Sequence, residues 1–162
     1  MSMETTSSLI FRRATRQDLP QIVSLLSDDE LGRTREAAPD GSLAAYEEAW
    51  TLMDQDAANW ILIAAVGQEV LGVLQLTLIA GLSRSGTRRA QIEGVRVKST
   101  TRGQAIGREL MTYAIDIAKE HKCGLIQLTT DKRRTDAKRF YESMGFSATH
   151  EGMKLDVAPS GA

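Results

Sequence analysis

Val95-Arg96-Val97-Lys98-Ser99-Thr100-Thr101-Arg102-Gly103-Gln104-Ala105-Ile106-Gly107-Arg108-Glu109-Leu110 joins a β-branched run to an amphipathic helix through a short polar turn. The first N–H groups of a helix have no intrahelical acceptor, and the helix dipole favours negative charge there. Gly103 and Gly107 let a ligand approach the backbone closely. A strand, a small-residue turn and a helix in that order read as a seat for a pyrophosphate. The seat is not a Walker loop, because the Gly103 to Gly107 spacing is too short and Arg108-Glu109 follows. The dinucleotide pattern Gly-x-Gly-x-x-Gly is absent too. Arg102 and Gly107 instead fill the ends of Arg/Gln-x-x-Gly-x-Gly/Ala, with Ala105 where the first glycine is usual.

A second segment strengthens the first. Asp136-Ala137-Lys138-Arg139-Phe140-Tyr141-Glu142-Ser143-Met144-Gly145-Phe146 completes the pattern Asn/Asp-Ala-x-x-Phe-Tyr-x-x-x-Gly-Phe. The two motifs in this order resemble the acetyl-coenzyme A site of the GNAT-type N-acetyltransferases. The resemblance spans residues 9–156 and is densest over 88–155. In detail, Leu128–Tyr141 is similar to aminoalkylphosphonate N-acetyltransferases and to many uncharacterised bacterial relatives.

Composition sets the frame. The chain has 162 residues, 42% apolar and 25% charged, which suits one compact globular domain. The net charge of −1 gives no global argument for nucleic acid or a membrane surface as partner. No apolar run reaches membrane-spanning length, and no leader-like stretch precedes the first strand. The single cysteine, Cys123, excludes an intrachain disulfide and fits a reducing cytosol. A cytoplasmic protein is therefore expected, with loose polar ends at 1–8 and 157–162 around a domain at 9–156.

Periodicity gives alternating elements. Strands are expected at 9–13, 60–66, 70–79, 90–97, 125–130 and 146–155. Helices are expected after Thr15, from Ser42 with Leu43, Tyr46, Trp50 and Met53 on one face, over 104–121, and over 135–144. Residues 28–41 and 81–88 read as loops, and 67–69 as a hairpin turn. The fold class is α/β of the α+β kind, an antiparallel meander followed by strand-helix-strand-helix-strand. The resemblance implies the GNAT fold: a mixed, mostly antiparallel sheet flanked by helices, whose fourth and fifth strands splay to admit the cofactor.

Acetyl transfer to an amine needs a base, an oxyanion donor and a proton for the leaving thiolate. The resemblance assigns these roles. Tyr141 takes the position of the thiolate acid. Glu93, on the strand before the loop, takes that of a carboxylate working through water. Val95, Arg96 and Val97 meet the pantetheine arm, with the Val95 N–H as oxyanion donor. Arg102, Gly103, Gln104, Ala105, Ile106, Gly107 and Arg108 hold the pyrophosphate. Asp136, Lys138 and Arg139 lie beside the cofactor, the two cations within reach of its outer phosphates. Acetyl-CoA is the implied cofactor and a small amine the acceptor. A two-fold homodimer is the default assembly.

Each role has a plainer counterpart. Tyr141 also reads as a core ring beside Phe140, and Glu93 as an exposed strand glutamate. Lys132, Arg133 and Arg134 read as a solvated turn. His121 suits a helix end, His150 a surface, and Cys123 core packing. No His/Cys/Asp/Glu spacing suggests a metal. The acidic run over 28–57, including Asp28, Asp29, Glu30, Glu36, Asp40, Asp54 and Asp56, reads as solvated helix faces or as an attraction for cationic amines. Ala105 is expected in helical angles, where alanine is favoured. Two other functions remain open: an acyl-CoA-sensing regulatory module of this fold, and acetylation of a protein amine.

Overall fold

The computed structural model describes residues 7–36 and 42–158. It divides into two compact units, residues 1–128 and 129–162. In the first unit, β1 (Leu9–Arg13) is followed by a 3₁₀ turn (Arg16–Asp18), α1 (Leu19–Leu26), α2 (Glu30–Glu36) and α3 (Ala44–Asp54). Then come β2 (Asn59–Val66), β3 (Glu69–Ile79), the single turn α4 (Ser83–Gly86), β4 (Arg89–Val97), a 3₁₀ turn (Ser99–Thr101), α5 (Ile106–Glu120) and β5 (Leu125–Leu128). The second unit holds α6 (Thr135–Ser143).

The five strands form one sheet in the order β1-β2-β3-β4-β5. The first three pairings are antiparallel and β4–β5 is parallel. Strand alternation gives the sheet two unlike faces. Leu62, Ala64, Leu74, Leu76, Ala90 and Ile92 are all at most 1% exposed. They lie on the face that meets α5, whose Ile106, Leu110, Met111, Ala114, Ile117 and Ala118 recur at helical spacing and are buried. On the opposite face Ile63, Ala65, Val70 and Val73 pack under Ile22 and Leu25 of α1, with Trp50 and Ile61 at the margin.

The entry to α1 is fixed by charge. The Arg12 guanidinium forks onto the buried Asp18 carboxylate at 2.8 and 2.9 Å. The Thr15 N–H and hydroxyl donate to the same group at 2.7 and 3.2 Å. This satisfies an otherwise costly buried carboxylate and holds its pKa below the usual range. The Arg12 hydrogen bond is the main cause, working against burial.

Three expectations from the sequence are corrected. Residues 28–41 are not all loop, because Glu30–Glu36 is helical. The Asp29 carboxylate accepts the Gly32 N–H and so caps that helix. Asp40 lies outside the described residues, as does most of the rest of that loop. The last strand, 146–155, is absent: the segment after Phe146 has no ladder. Thr149 instead donates its N–H to Ser147 at 3.0 Å, and its hydroxyl meets His150 Nδ1 at 2.7 Å, local bonds that compete with a sheet. Met153, Leu155 and Val157 are left 93, 85 and 87% exposed. Ala105 is the third correction, taken up below. Smaller shifts are a β5 that ends at Leu128, half-buried throughout, and an α5 that starts at Ile106 rather than 104. Among the described residues no helix is long and apolar enough to cross a membrane.

Candidate active site

The site in the first unit is built on an irregularity in β4. Val73 pairs with Arg96 and Gln75 with Glu93, so Leu74 faces two residues, Gly94 and Val95. Gly94 carries the extra residue with φ +60, a conformation that costs glycine nothing. The strand bends there, next to Leu26, whose Cδ2 is 3.6 Å from where a Cβ on Gly94 would stand. Pairing with β5 stops just before the bulge, at Ile92 with Leu128. Glu93 to Val97 therefore continue with no β5 residue beside them.

Which main-chain groups face that open edge follows from the ladder. The Lys98 N–H donates to the Leu71 carbonyl at 2.8 Å, across to β3. Alternation then turns Val97 and Val95 the other way, to the edge without a neighbour. The Arg96 side chain leaves by the α1 face, where its Nη1 donates to the Val95 carbonyl at 2.8 Å and its Nε lies 3.8 Å from Asp29. The Ser99 N–H donates to Asp28 at 3.1 Å. Two carboxylates between α1 and α2 thus tie that end of α1 to the outer part of β4.

The loop leads straight to a helix start. Arg102, Gly103, Gln104 and Ala105 are exposed, and Gly107 is half-buried. Gly103 has φ +86, and a Cβ there would meet nothing within 4 Å. The Gln104 N–H is used by the Thr101 carbonyl at 3.3 Å. The first helical bond is Glu109 N–H to Ala105 carbonyl at 3.0 Å. Ile106 and Gly107 thereby present first-turn N–H groups at the positive end of the dipole. The Ile106 side chain is core, 3% exposed, so only its backbone serves the loop. Ala105 caps α5 with φ +62 and ψ 10, not in helical angles as expected. The chain must reverse between the 3₁₀ turn and α5, and alanine takes the left-handed step at a cost of about 1–2 kcal/mol.

In the second unit α6 carries Asp136, Lys138, Arg139 and Tyr141. The Tyr141 ring is half-buried, 5.4 Å from Phe140 and 6.0 Å from Phe146 by centroid. The Phe146 N–H returns to the Tyr141 carbonyl at 3.1 Å, beyond Gly145 at φ +96. Packing and a chain reversal together fix the ring. Lys138 lies 3.9 Å from Glu142 and Arg139 3.5 Å from Asp136, exposed pairs that hold little energy. Arg133 forks onto Asp131 at 3.0 and 2.8 Å, so that cation is engaged within its own turn.

The remaining candidates have local roles. His121 ends α5, with Nδ1 2.9 Å from the Ile117 carbonyl and its ring edge-on to Trp60 at 5.0 Å. The Cys123 thiol is half-buried and its pKa is raised by burial against the opposing charge of Arg88, the signature of packing rather than of a nucleophile. His150 is exposed.

Sequence reasoning missed two clusters. The Tyr46 hydroxyl donates to Glu36 Oε2 at 2.8 Å, joining α3 to α2, and its pKa is pushed up to about 12 by burial and then by that carboxylate. The other is a set of hydrogen-bonded amides on the α1 face of the sheet: Gln75 to Asn59 at 2.9 Å and Gln127 to Gln91 at 2.7 Å. The alternation of Gln75 and Thr77 with Leu74, Leu76 and Leu78 marks a two-sided strand. Only the register brings the amides side by side.

Comparison with known proteins bears on this geometry. The sequence model of the acetyltransferase (GNAT) family matches residues 19–146. The chain is 32% identical over 82 residues to an aminoalkylphosphonate N-acetyltransferase of Salmonella typhimurium, covering 51% of this chain and 53% of that protein. It thus spans about half the length of that relative. A Bacillus halodurans protein described as a transcriptional regulator is 47% identical, with a TM-score of 0.88 over 92% of this chain and 99% of its own. Glucosamine-6-phosphate N-acetyltransferase of Arabidopsis thaliana shares the fold at a TM-score of 0.76 and 17% identity, over 93% and 99% of the two chains.

Proposed function

The chain belongs to the acetyltransferase (GNAT) family, and from that premise we propose that it moves an acetyl group from acetyl-CoA to a primary amine of a small molecule. The observation that carries the reading is the outer half of β4, which has no β5 residue beside it and runs into a helix start with exposed glycine. An extended pantetheine arm needs main-chain donors and acceptors along one edge, and Val95 and Val97 offer them. A pyrophosphate needs N–H groups and positive charge, and Ile106, Gly107 and Arg102 supply these. The residues therefore fit the cofactor, which when bound supplies an activated thioester.

The chain's own groups take the following roles in this reading. Glu93, exposed at the bulge, accepts the amine's proton through water. The Val95 N–H donates to the carbonyl oxygen on which charge develops. The Tyr141 hydroxyl gives a proton to the departing sulfur. The protein acts as a cytoplasmic homodimer. Support for pairing comes from 151–157, where exposed Met153, Leu155 and Val157 alternate with Lys154 and Asp156, the pattern of a strand that lacks a partner.

A second reading is an acyl-CoA-responsive regulatory module. The description of the 47% identical Bacillus halodurans protein favours it. Calorimetric titration with acetyl-CoA and with ATP, followed by thiol release over an amine panel, separates the two. The enzyme reading expects micromolar-scale binding of acetyl-CoA, about −8 kcal/mol, with turnover. In Tyr141→Phe, turnover drops by about 10²-fold while cofactor affinity holds. Binding without turnover of any amine supports the regulatory module. Preference for ATP overturns both.

A further inference from the structure

The α1 face of the sheet is apolar under α1. Beyond Ile63 and Val73 the same face carries polar groups, mostly amides, with Ile61, Ile79 and Leu125 at their margins. Gln75 pairs with Glu93, Thr77 with Gln91, and Gln91 with Gln127, so these side chains stand in adjacent rows on one side. The Asn59 carbonyl oxygen accepts from both Gln75 and Thr77, at 2.9 and 3.3 Å. The Gln91 oxygen accepts from Gln127 at 2.7 Å, and the Gln127 oxygen faces Arg89 at 3.4 Å. All but Glu93 are half-buried. Asn is depleted in strands, and a merely solvated strand face carries lysine and glutamate as readily as amides. Here four amides and a threonine stand between one arginine and one glutamate.

These bonds orient the amides and use up only part of their capacity. Asn59 and Gln91 accept, which leaves both of their NH₂ groups. Gln75 and Gln127 donate one hydrogen each, which leaves a second. Among the described residues no acceptor stands against these N–H groups. From β2 to β5 the band crosses three strand spacings, about 14 Å. One end is Glu93, at the point where β4 leaves β5. The other is Asn59, which also lines a cavity of about 340 Å³ with Trp50, Trp60 and Asp54.

We propose that this amide band is the floor of the acceptor site and that it selects an amine carrying several uncharged hydroxyl groups. The inference rests on the acetyltransferase reading above. Oriented amides donate and accept, as hydroxyls do, so each hydroxyl finds both partners. A phosphonate or phosphate tail needs cations, and Arg89 is the one cation of the band, engaged with Gln127. A polyamine needs carboxylates spaced along its length, and among the rows only Glu93 is one; Asp54 and Asp56 stand past Asn59, on the cavity wall. The amine sits at Glu93, next to the open β4 edge, and the hydroxyls run toward Asn59.

The test is calorimetry on the protein saturated with coenzyme A, titrated with glucosamine, 2-aminoethylphosphonate, spermidine and hexylamine. Glucosamine is expected to bind at least about tenfold more tightly than the other three, the effect of one or two satisfied hydrogen bonds. Gln91→Leu and Gln75→Leu are each expected to weaken glucosamine about tenfold and to leave coenzyme A affinity unchanged. Tighter binding of the phosphonate, of spermidine or of hexylamine overturns the proposal. So does glucosamine binding that both variants retain, or its absence from a protein that binds coenzyme A. If a variant does not fold, the ranking of the four amines on the parent protein decides. Failure to bind coenzyme A would count against the acetyltransferase reading instead.

Discussion

The two faces of the sheet are made by the same strands and do opposite work. Toward α5, Leu62, Ala64, Leu74, Leu76, Ala90 and Ile92 of β2, β3 and β4 are aliphatic and almost wholly buried. Toward α1, Ile63, Ala65, Val70 and Val73 are buried, whereas Gln75, Thr77, Gln91 and Glu93 of β3 and β4 are polar. The first face is closed and holds the fold. The second is apolar under α1 and beyond it carries polar groups oriented by hydrogen bonds. Stability and specificity are thus separated by side-chain direction, one residue apart along each strand.

Substitutions that act on one face only put this separation at risk. The largest effect is expected at Leu74, which is fully buried on the α5 side. Leu74→Ala should cost about 3–4 kcal/mol by urea unfolding, from lost transfer energy and the cavity left behind. A loss no greater than an exposed residue gives would mean that α5 is not packed on that face.

A smaller loss is expected at the entrance to α1. Asp18→Asn should cost about 2 kcal/mol near neutral pH, toward the low side for a severed pair because Arg12 is one-third exposed. The Arg12 hydrogen bond holds the Asp18 carboxyl below its usual 3.8. The pair's stabilisation is therefore present above that value and is lost as pH falls through the lower folded value. Unfolding curves of parent and variant should begin to converge below about pH 4. A gap that persists unchanged at pH 2 would assign the effect to packing.

The smallest effect is a gain. Ala105→Gly should stabilise the protein by about 1 kcal/mol, because it releases the left-handed strain at the α5 cap. It should also bind acetyl-CoA at least as well. Destabilisation by glycine would mean that the φ of +62 is not kept in solution.

The parts of this molecule legible from its sequence are those set by local chemistry. The period of Ile106, Leu110 and Ile117 announced α5. The Gly145-Phe146 ending located the close of α6. The Arg102 to Gly107 spacing marked the helix start that stands beside the open strand. What escaped was decided by partners distant in sequence or by one torsion. The Glu30–Glu36 helix is polar and contains Gly32, so its period is weak, and only the Asp29 cap reveals it. Phe146–Leu155 has strand-like alternation, but alternation does not provide a neighbouring strand. The torsion of Ala105 cannot be read from an alanine that suits a helix so well. The amide pairs need the β2–β3 and β4–β5 registers, which no local pattern in the sequence supplies.

That bulge has a consequence for handling the protein. A β-strand with a bare edge is a template for any extended chain, its own neighbours included. The outer part of β4 becomes such an edge where β5 ends, and Lys98 and Arg102 follow it in the chain. A pantetheine arm laid along it would act as a surrogate sixth strand, short and unable to propagate pairing further. Storage with the cofactor should therefore suppress aggregation beyond what the gain in folding free energy alone accounts for.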